Sequence, residues 1–236
     1  MYSLLAEYYD ELMEADYRAF FDYYQEVWAR YGLTPQIVLD LACGTGNMAK
    51  LYEAKYDVIG VDISPEMLSK AREKLSSRTL LLAMDMRALD LYGTVDACCC
   101  TLDGFGSMLC EEDFLKALSG VNLFLSPGGI LIFDLITPGK FKDELDGSAY
   151  FYDTKKVSCV WRSALEEPLC NFYLTYFILQ GEYYTRRDET WAERVWSAGE
   201  VETLIAACGM ELLEVREDEG RMFFVCRKGG KTGNWN

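Results

Sequence analysis

The 236-residue sequence contains no histidine. This absence removes the side chain that most often serves as a general base and as a metal ligand. The sequence also lacks a C-x-x-C pair and any apolar run long enough to cross a bilayer. Its first residues do not form a basic segment followed by an apolar stretch. We therefore expect no metal centre, no membrane anchor and no secretory signal, and we expect a cytoplasmic protein.

Basic residues are scarce relative to acidic ones, 23 against 38, which gives a net charge of −15. Such a field repels DNA and RNA unless a local basic patch outweighs it, and the sequence shows no such patch. A nucleic-acid partner is therefore disfavoured. The remaining composition, with 50% hydrophobic and 26% charged residues, is that of a globular chain long enough for one domain with a sizeable core.

The nine cysteines do not follow a disulfide or metal-binding pattern. Their number is odd, and residues 98 to 100 form a contiguous Cys-Cys-Cys run in which strand neighbours would point to opposite faces. We interpret the cysteines as small buried hydrophobic residues.

One stretch organises the chain, Ile37-Val-Leu-Asp-Leu-Ala-Cys-Gly-Thr-Gly-Asn47. Its apolar first half, residues 37 to 41, is typical of a strand buried on both faces of a parallel sheet. Its second half places Gly44 and Gly46 just before a helical pattern. Glycines permit positive φ and a close approach of the backbone to a ligand, so the pattern predicts a ligand-binding turn.

Two ligand classes fit such a turn. Residues 44 to 49 match the G-x-G-x-x-G/A dinucleotide pattern, for which Asp62 would be the ribose-binding acid. Asp40, however, would face the anionic pyrophosphate of a dinucleotide and repel it. S-adenosylmethionine brings an ammonium and a sulfonium, which an acid attracts. We therefore prefer this methyl donor, and an NAD(P)-dependent oxidoreductase stays as the alternative.

Four segments in chain order resemble the motifs of class I S-adenosylmethionine-dependent methyltransferases. They are Asp40-Leu-Ala-Cys-Gly-Thr-Gly46, Val58-Ile-Gly-Val-Asp-Ile-Ser-Pro-Glu-Met-Leu68, Ala83-Met-Asp-Met86 and Leu125-Ser-Pro-Gly-Gly-Ile-Leu-Ile-Phe-Asp134. The resemblance implies an α/β fold with a Rossmann-like, doubly wound, seven-stranded sheet, mostly parallel with an antiparallel last strand. It also implies an antiparallel β insertion after the fifth strand.

The resemblance also implies which residues hold the donor. Asp62 would accept hydrogen bonds from both ribose hydroxyls. Asp85 and Met86 look like the pair that reads adenine, whereas Ile63 and Met67 are either adenine neighbours or core residues. The full set of donor-binding positions that we predict is Tyr9, Tyr17, Asp40, Ala42, Gly44, Gly46, Asp62, Ile63, Met67, Asp85, Met86 and Leu102. Of these, Tyr9 and Tyr17 either cover the methionine end of the donor or belong to an aromatic face that packs on the core.

The chain divides into a donor-binding domain, an insertion and a tail. Residues 1–139 and 197–228 form the domain, and residues 1–31 supply a helical cover whose aromatics recur at intervals of three and four. Residues 140–196 alternate like antiparallel strands and would roof the acceptor site. Residues 229–236 are polar and glycine-rich, and we predict that they are disordered.

Asp103, in the segment after the fourth strand, is the candidate catalytic residue. It either contacts the reaction centre or stabilises its own loop through a side-chain to backbone bond, as aspartate before glycine often does. In the insertion, Arg187, Glu189 and Arg194 either bind a charged acceptor or form ion pairs on a strand face.

The function predicted from the sequence is methyl transfer from S-adenosylmethionine to an unidentified small molecule. With no histidine, any proton removal would fall to Asp103, Glu189, a tyrosine or water, which weakly favours a nitrogen or an acidic oxygen or carbon as nucleophile. The alternatives are methylation of tRNA or protein, and donor binding without catalysis. The sequence does not determine the oligomeric state.

Overall fold

A computed structural model describes residues 3–229 of the chain. Its helices are α1 (Ser3–Leu12), α2 (Tyr17–Arg30), α3 (Asn47–Tyr52), α4 (Pro65–Lys74), α5 (Glu111–Phe124), the single turn α6 (Pro138–Lys140) and α7 (Ala198–Ala207). Its strands are β1 (Ile37–Leu41), β2 (Asp57–Asp62), β3 (Leu80–Ala83), β4 (Val95–Cys100), β5 (Leu125–Ile136), β6 (Ala149–Asp153), β7 (Val157–Glu166), β8 (Leu169–Gln180), β9 (Tyr183–Arg194), β10 (Glu211–Asp218) and β11 (Arg221–Arg227).

The main sheet has seven strands in the order β10-β11-β5-β4-β1-β2-β3. Strands β1 to β5 are mutually parallel, and β11 runs antiparallel to both of its neighbours. The predicted fold class is therefore confirmed. Because parallel strands end at one edge of the sheet, the residues that follow β1, β2, β3 and β4 lie along that edge.

Strand β5 contains a bulge at residues 126–129. Val95 and Ala97 of β4 are two residues apart, but their partners Leu125 and Ile130 are five residues apart. Gly128 has a φ of +80° in the extra segment, which is the left-handed conformation that favours glycine.

The insertion is a separate four-stranded antiparallel sheet in the order β6-β7-β8-β9. Its inward face is apolar and holds the fully buried side chains of Cys159, Cys170 and Tyr176. This alternation of buried and exposed positions is what the sequence pattern predicted.

The N-terminal segment forms two helices, whereas the sequence pattern suggested one continuous helical cover. Asp16 interrupts it, because its side chain caps α2 by accepting from the backbone N–H of Ala19 at 2.9 Å. Helix α2 packs on the main sheet through the four buried residues Phe21, Tyr24, Val27 and Trp28. Helix α1 packs instead against the inner face of the insertion and against Met67 of α4.

The cysteines behave as predicted. None of the nine is paired, and seven are buried, because only Cys110 is exposed and Cys208 is partly exposed. Within residues 3–229 no helix combines the length and the apolarity that a membrane crossing requires. The predicted tail, residues 229–236, lies outside the described residues apart from Gly229, whereas Lys228 is ordered and donates through Nζ to three backbone carbonyls at the end of α5.

Candidate active site

The glycine turn between β1 and α3 is tightly folded. Gly44 and Gly46 have φ values of +54° and +80°, and Ala42 adopts +56° without being glycine. A Cβ at Gly46 would lie 3.0 Å from the Ala71 side chain of α4, whereas a Cβ at Gly44 would meet nothing within 4 Å. Gly46 is therefore needed for the close approach to α4, and the backbone at Gly44 has free space beside it.

Asp62, the last residue of β2, ties two turns together. Its Oδ2 accepts from the N–H of Gly44 at 2.8 Å, and its Oδ1 accepts from the N–H of Ser64 at 2.8 Å. Burial raises the pKa of this carboxyl, and the backbone donors counteract only part of that rise. Asp62 thus shapes the glycine turn, and its contact with a ribose stays a prediction.

Asp40 is the least satisfied charged group at this edge. Its residue is only 2% exposed, and its Oδ2 has no hydrogen-bond partner. Burial raises the pKa of Asp40 to about 8, the charge of Asp62 adds to the rise, and a bond from the N–H of Ala49 opposes it. An unpartnered buried carboxylate is costly unless a cation or a proton neutralises it. The position therefore fits a cationic ligand.

A small cavity of about 30 Å³ lies against Asp40 and the turn. Its lining includes six of the predicted donor-binding residues, namely Tyr9, Tyr17, Asp40, Ala42, Gly44 and Leu102. A pocket that holds a small-molecule ligand usually measures about 300–1,000 Å³. The cavity in this arrangement is therefore smaller than a site that holds a whole ligand.

Helix α1 is the element that covers the cavity. Asp10 of α1 accepts from Thr45 Oγ1 at 2.8 Å and from Asn47 Nδ2 at 2.9 Å, both beside the glycine turn. Its other oxygen pairs with Lys74 Nζ at 2.5 Å. Burial acts to raise the pKa of Asp10, but the bonds from Lys74, Asn47 and Thr45 outweigh it and leave the pKa lowered.

We expect Asp10→Ala to weaken the attachment of α1 to the glycine turn between β1 and α3, which we also call the donor turn. The carboxylate is 42% exposed, so its charged bonds are weakened by solvent and their loss should increase local opening roughly tenfold. Hydrogen exchange of the α1 backbone amides measures this opening. Asp22→Ala removes an exposed ion pair with Arg18 on α2 and should leave α1 unchanged. Unchanged hydrogen exchange in Asp10→Ala would show that the bonds of Asp10 do not hold α1 in place.

The predicted adenine-binding residues are in three different environments. Ile63 is 56% exposed at the sheet edge, as an apolar ligand wall requires, whereas Met67 and Met86 are buried. Met67 packs under α1, which agrees with its core interpretation. Asp85 is not free in this structure, because the guanidinium of Arg87 pairs with its carboxylate.

The loop after β4 is strained. Leu102 and Asp103 both adopt left-handed φ values, 61° and 66°, which cost energy for residues other than glycine. Two buried carboxylates hold this shape, since Asp134 Oδ1 accepts from the N–H of Leu102 at 2.8 Å and Asp103 Oδ1 accepts from the N–H of Ile136 at 2.7 Å. Asp103 thus binds the neighbouring strand β5 through Oδ1, whereas no N–H or hydroxyl group donates to its Oδ2, and its carboxyl interacts with that of Glu193.

Arg221, at the start of β11, is the cation of this region. Its Nη1 pairs with Asp134 Oδ2 at 2.5 Å, and Asp134 is fully buried. Its charge also acts on Asp103 and Glu193. Burial raises the pKa of Asp134 and of both other carboxyls, with Arg221 opposing the rise.

Glu189 has a structural partner that the sequence does not reveal. Its Oε2 accepts from the N–H of Leu5 in the first turn of α1 at 3.0 Å and from Tyr176 Oη at 3.3 Å. Arg194 pairs with Glu200, and its guanidinium lies 4.0 Å from the ring centre of Trp196. Arg194 thus forms an ion pair, but its partner Glu200 lies on α7 and not on the strand face that the sequence pattern suggested. Glu189 anchors α1.

Several residues of this region were not predicted from the sequence, namely Asp10, Thr45, Asn47, Lys74, Asp134, Glu193 and Arg221. Thr45 and Asn47 lie within the glycine motif, so the motif itself was a usable signal. The others act across distant segments, such as Asp134 and Arg221, which are 87 residues apart. No local pattern marks such pairs.

Comparisons with known proteins agree with this geometry. A family model described as a methyltransferase domain matches residues 38–129. The putative methyltransferase YqeM of Bacillus subtilis (strain 168) is 32% identical over 97% of this chain and 97% of its own length. The glycine/sarcosine N-methyltransferase of Halorhodospira halochloris is 33% identical over 76% of this chain and 73% of its own length.

A solved structure gives the same result. The S-adenosylmethionine-dependent methyltransferase from Clostridium acetobutylicum ATCC 824 superposes with a TM-score of 0.86 at 28% identity, covering 97% of this chain and 99% of its own. The match thus extends over both sheets, beyond the motif region. Together with the glycine turn and the buried acids at the carboxyl edge of the main sheet, this match establishes that the chain belongs to the class I S-adenosylmethionine-dependent methyltransferases.

Proposed function

We propose that this enzyme methylates a small molecule bound between the carboxyl edge of the main sheet and the insertion, with Asp40 facing the cationic end of the donor. The unpartnered, buried oxygen of Asp40 carries the proposal. A site that keeps a carboxylate without a partner is suited to a ligand that brings a positive charge. A pyrophosphate at the same place would add a second negative charge.

The residues present fit S-adenosylmethionine. Asp40 offers an acceptor for its cationic groups, and the free space beside Gly44 allows the ligand to approach the backbone. Asp62 would orient the ribose, while Tyr9, Tyr17 and Leu102 would enclose the methionine end. On the adenine side, Ile63, Met86 and Asp85 would provide contacts, the last after release from Arg87. When bound, the donor supplies an electrophilic methyl group on a sulfonium.

The chain's own contribution is orientation and exclusion of water. Helix α1 lies over the donor turn, latched by Asp10 at one end and by Glu189 at the other. Enclosing the reactants in this way accounts for much of the acceleration of a displacement whose leaving group is already good. Asp103 is the nearest candidate for contact with the acceptor, because Thr101 and Leu102 before it line the cavity.

The proposed acceptor is a small molecule. The similar glycine/sarcosine N-methyltransferase is named for such acceptors. The net charge of −15 disfavours RNA as a substrate. Methyl-labelled donor, incubated with separate small-molecule, RNA and protein fractions of a cell extract, should transfer its label to the small-molecule fraction. Label confined to the RNA or protein fraction would refute this acceptor class.

Calorimetric titration tests the donor site itself. We expect S-adenosylmethionine and S-adenosylhomocysteine to bind, NADH not to bind, and Asp62→Ala to weaken binding at least tenfold, because both ribose acceptors and the bond that shapes the turn at Gly44 are lost. Asp57→Ala changes an exposed acid on the same strand and serves as the matched control. Undiminished binding by Asp62→Ala would remove Asp62 from the site.

A further inference from the structure

We propose that Asp103 and Glu193 together bind the acceptor through a protonated nitrogen, so that the substrate class of this enzyme is a primary or secondary amine. This inference rests on the proposed function, because it assigns the acceptor side of the same site. Glu193 belongs to the insertion and Asp103 to the donor-binding domain, so the pair lies where the two parts of the chain meet.

Asp103 is held at the donor site by its neighbours in the chain. Thr101 and Leu102 line the donor cavity. On the other side, a Cβ at Gly104 would lie 3.0 Å from the Cβ of Ala42 in the donor turn. Asp103 therefore lies in the chain between residues that line the donor cavity and a glycine that closely approaches the donor turn. Asp103 is only 7% exposed, and its Oδ1 accepts a hydrogen bond from the backbone N–H of Ile136.

A purely structural role for Asp103 explains the position of its Oδ1 but not that of its Oδ2. A carboxylate that only stabilised the strained loop would need the bond from Ile136 and nothing more. Oδ2 is buried and receives no bond from an N–H or hydroxyl group, although a buried polar atom is normally satisfied, and the side chain that it meets is another carboxyl, that of Glu193. Oδ2 is therefore available to a ligand that donates hydrogen bonds.

Glu193 is oriented toward the same place. Strand β9 packs on the 3₁₀ turn Gly104–Ser107 that follows Asp103, and the Glu193 carboxyl faces that of Asp103. Trp191, on the same face of β9, donates from Nε1 to Glu193 Oε1 at 3.0 Å and fixes the side chain. A rigid indole donor leaves the other Glu193 oxygen for a second donor.

The local charge balance also allows a cation to replace a proton. Asp103, Glu193 and Asp134 face a single guanidinium, that of Arg221, and Asp134 engages it directly. With all three acids ionised, the cluster would carry an excess of two negative charges. Two adjacent buried carboxylates do not both ionise, so without a ligand Asp103 and Glu193 share a proton. An ammonium group placed between them replaces this proton and supplies the missing donors.

The same pair accounts for the acid–base step. An ammonium nitrogen has no lone pair, so one N–H proton moves to a carboxylate oxygen of the pair, and the electrons of that bond stay on nitrogen. The freed lone pair then forms the new N–C bond as the C–S bond of the donor breaks and leaves its electron pair on sulfur. The proton passes to solvent, and the product leaves as a methylated ammonium. With no histidine in the chain, a carboxylate pair of raised pKa is a suitable acceptor.

Matched ligand pairs test the inference on the intact protein saturated with S-adenosylhomocysteine. The pairs are glycine and glycolate, ethanolamine and ethylene glycol, and glucosamine and glucose. Calorimetry in buffers of different ionisation enthalpy at pH 7 measures both affinity and proton release. We expect at least one amine to bind more than tenfold tighter than its hydroxyl counterpart and to release about one proton.

Glu193→Gln keeps the shape of the side chain and should weaken amine binding at least tenfold while abolishing proton release. Asp188→Asn, on the exposed face of the same strand, is the control. Equal binding of amine and hydroxyl compounds, equal binding by Glu193→Gln, or no amine binding at all would overturn the inference. If S-adenosylhomocysteine itself failed to bind, the donor site assigned under the proposed function would be wrong instead, and the two failures are therefore distinguishable.

Discussion

Replacing Asp40 by asparagine is expected to abolish measurable S-adenosylmethionine binding and, at the same time, to stabilise the protein without ligand at pH 8. The amide keeps the shape of the carboxylate but has no charge for the donor's cationic groups. Asp40 is fully buried with one unpartnered oxygen, so its ionised form is unfavourable in the folded protein. The buried charge of Asp40 therefore destabilises the folded protein without ligand and favours binding of the cationic donor.

The pH dependence of this effect has a definite sign. Burial, with a smaller contribution from the charge of Asp62, raises the pKa of Asp40 to about 8 in the folded state. A raised carboxyl pKa means that the folded state holds its proton longer, so the stability from this group is complete below about pH 4 and is lost as the pH rises through about 8. The pKa of Asp40 is raised by about four units, and each unit corresponds to about 1.4 kcal/mol, so the two proteins should differ in stability by roughly 5 kcal/mol at pH 8.

Urea unfolding at pH 4.5, 6 and 8 measures this difference, and titration with S-adenosylmethionine measures the loss of affinity. Wild type should release about one proton on binding the donor at pH 6.5, because the donor's charge ionises Asp40, and the variant should release none. Asp57→Asn, at the exposed start of β2, should change neither property. If Asp40→Asn binds the donor normally, Asp40 is not the cation partner.

Arg221→Met is expected to lower the free energy of unfolding by about 3–5 kcal/mol at pH 8, the usual cost of leaving a buried charge without its partner. Arg221 pairs with the fully buried Asp134 and is the cation closest to Asp103 and Glu193. Its removal raises the pKa of these carboxyls further, since Arg221 opposes the effect of burial on each of them. The loss should therefore be smaller at pH 5, where the acids are more easily protonated.

Two further variants separate the ion pair from packing. Arg221→Met combined with Asp134→Asn removes both charges and should recover much of the lost stability, because no unpaired ion remains. Arg216→Met removes an exposed ion pair with Asp218 from the neighbouring strand β10 and should change stability by less than about 0.5 kcal/mol. Chemical unfolding at both pH values gives the comparison. Equal destabilisation by Arg221→Met and by the double variant would assign the effect to packing.

Local features of this fold could be predicted from the sequence alone. Strand β1 spans residues 37–41 as the apolar run indicated, and Ser64 and Pro65 begin α4 as cap and first-turn residue. The antiparallel insertion followed from its alternating pattern. Strand period, caps and turn glycines depend on residues only a few positions apart, so the sequence contains them directly.

The cofactor class could also be predicted, because its motifs are local and occur in order along the strands. The division of the N-terminal segment into two helices could not, although Asp16 was a usable cap signal. Its consequence was not local: α2 joins the main sheet and α1 joins the insertion. Which sheet a helix covers depends on packing partners far along the chain.

The sequence by itself therefore determined the class of fold, the glycine turn and the acids at the ends of β1 and β2, since each depends on short-range patterning. Only the tertiary structure decided the electrostatic state of those acids. Asp62 is satisfied by the turn at Gly44, while no N–H or hydroxyl group donates to one oxygen of Asp40 and one of Asp103. Charge, burial and hydrogen bonding are set by all neighbours in space, and here the decisive partners are 33 to 87 residues away for Asp103 and Asp134.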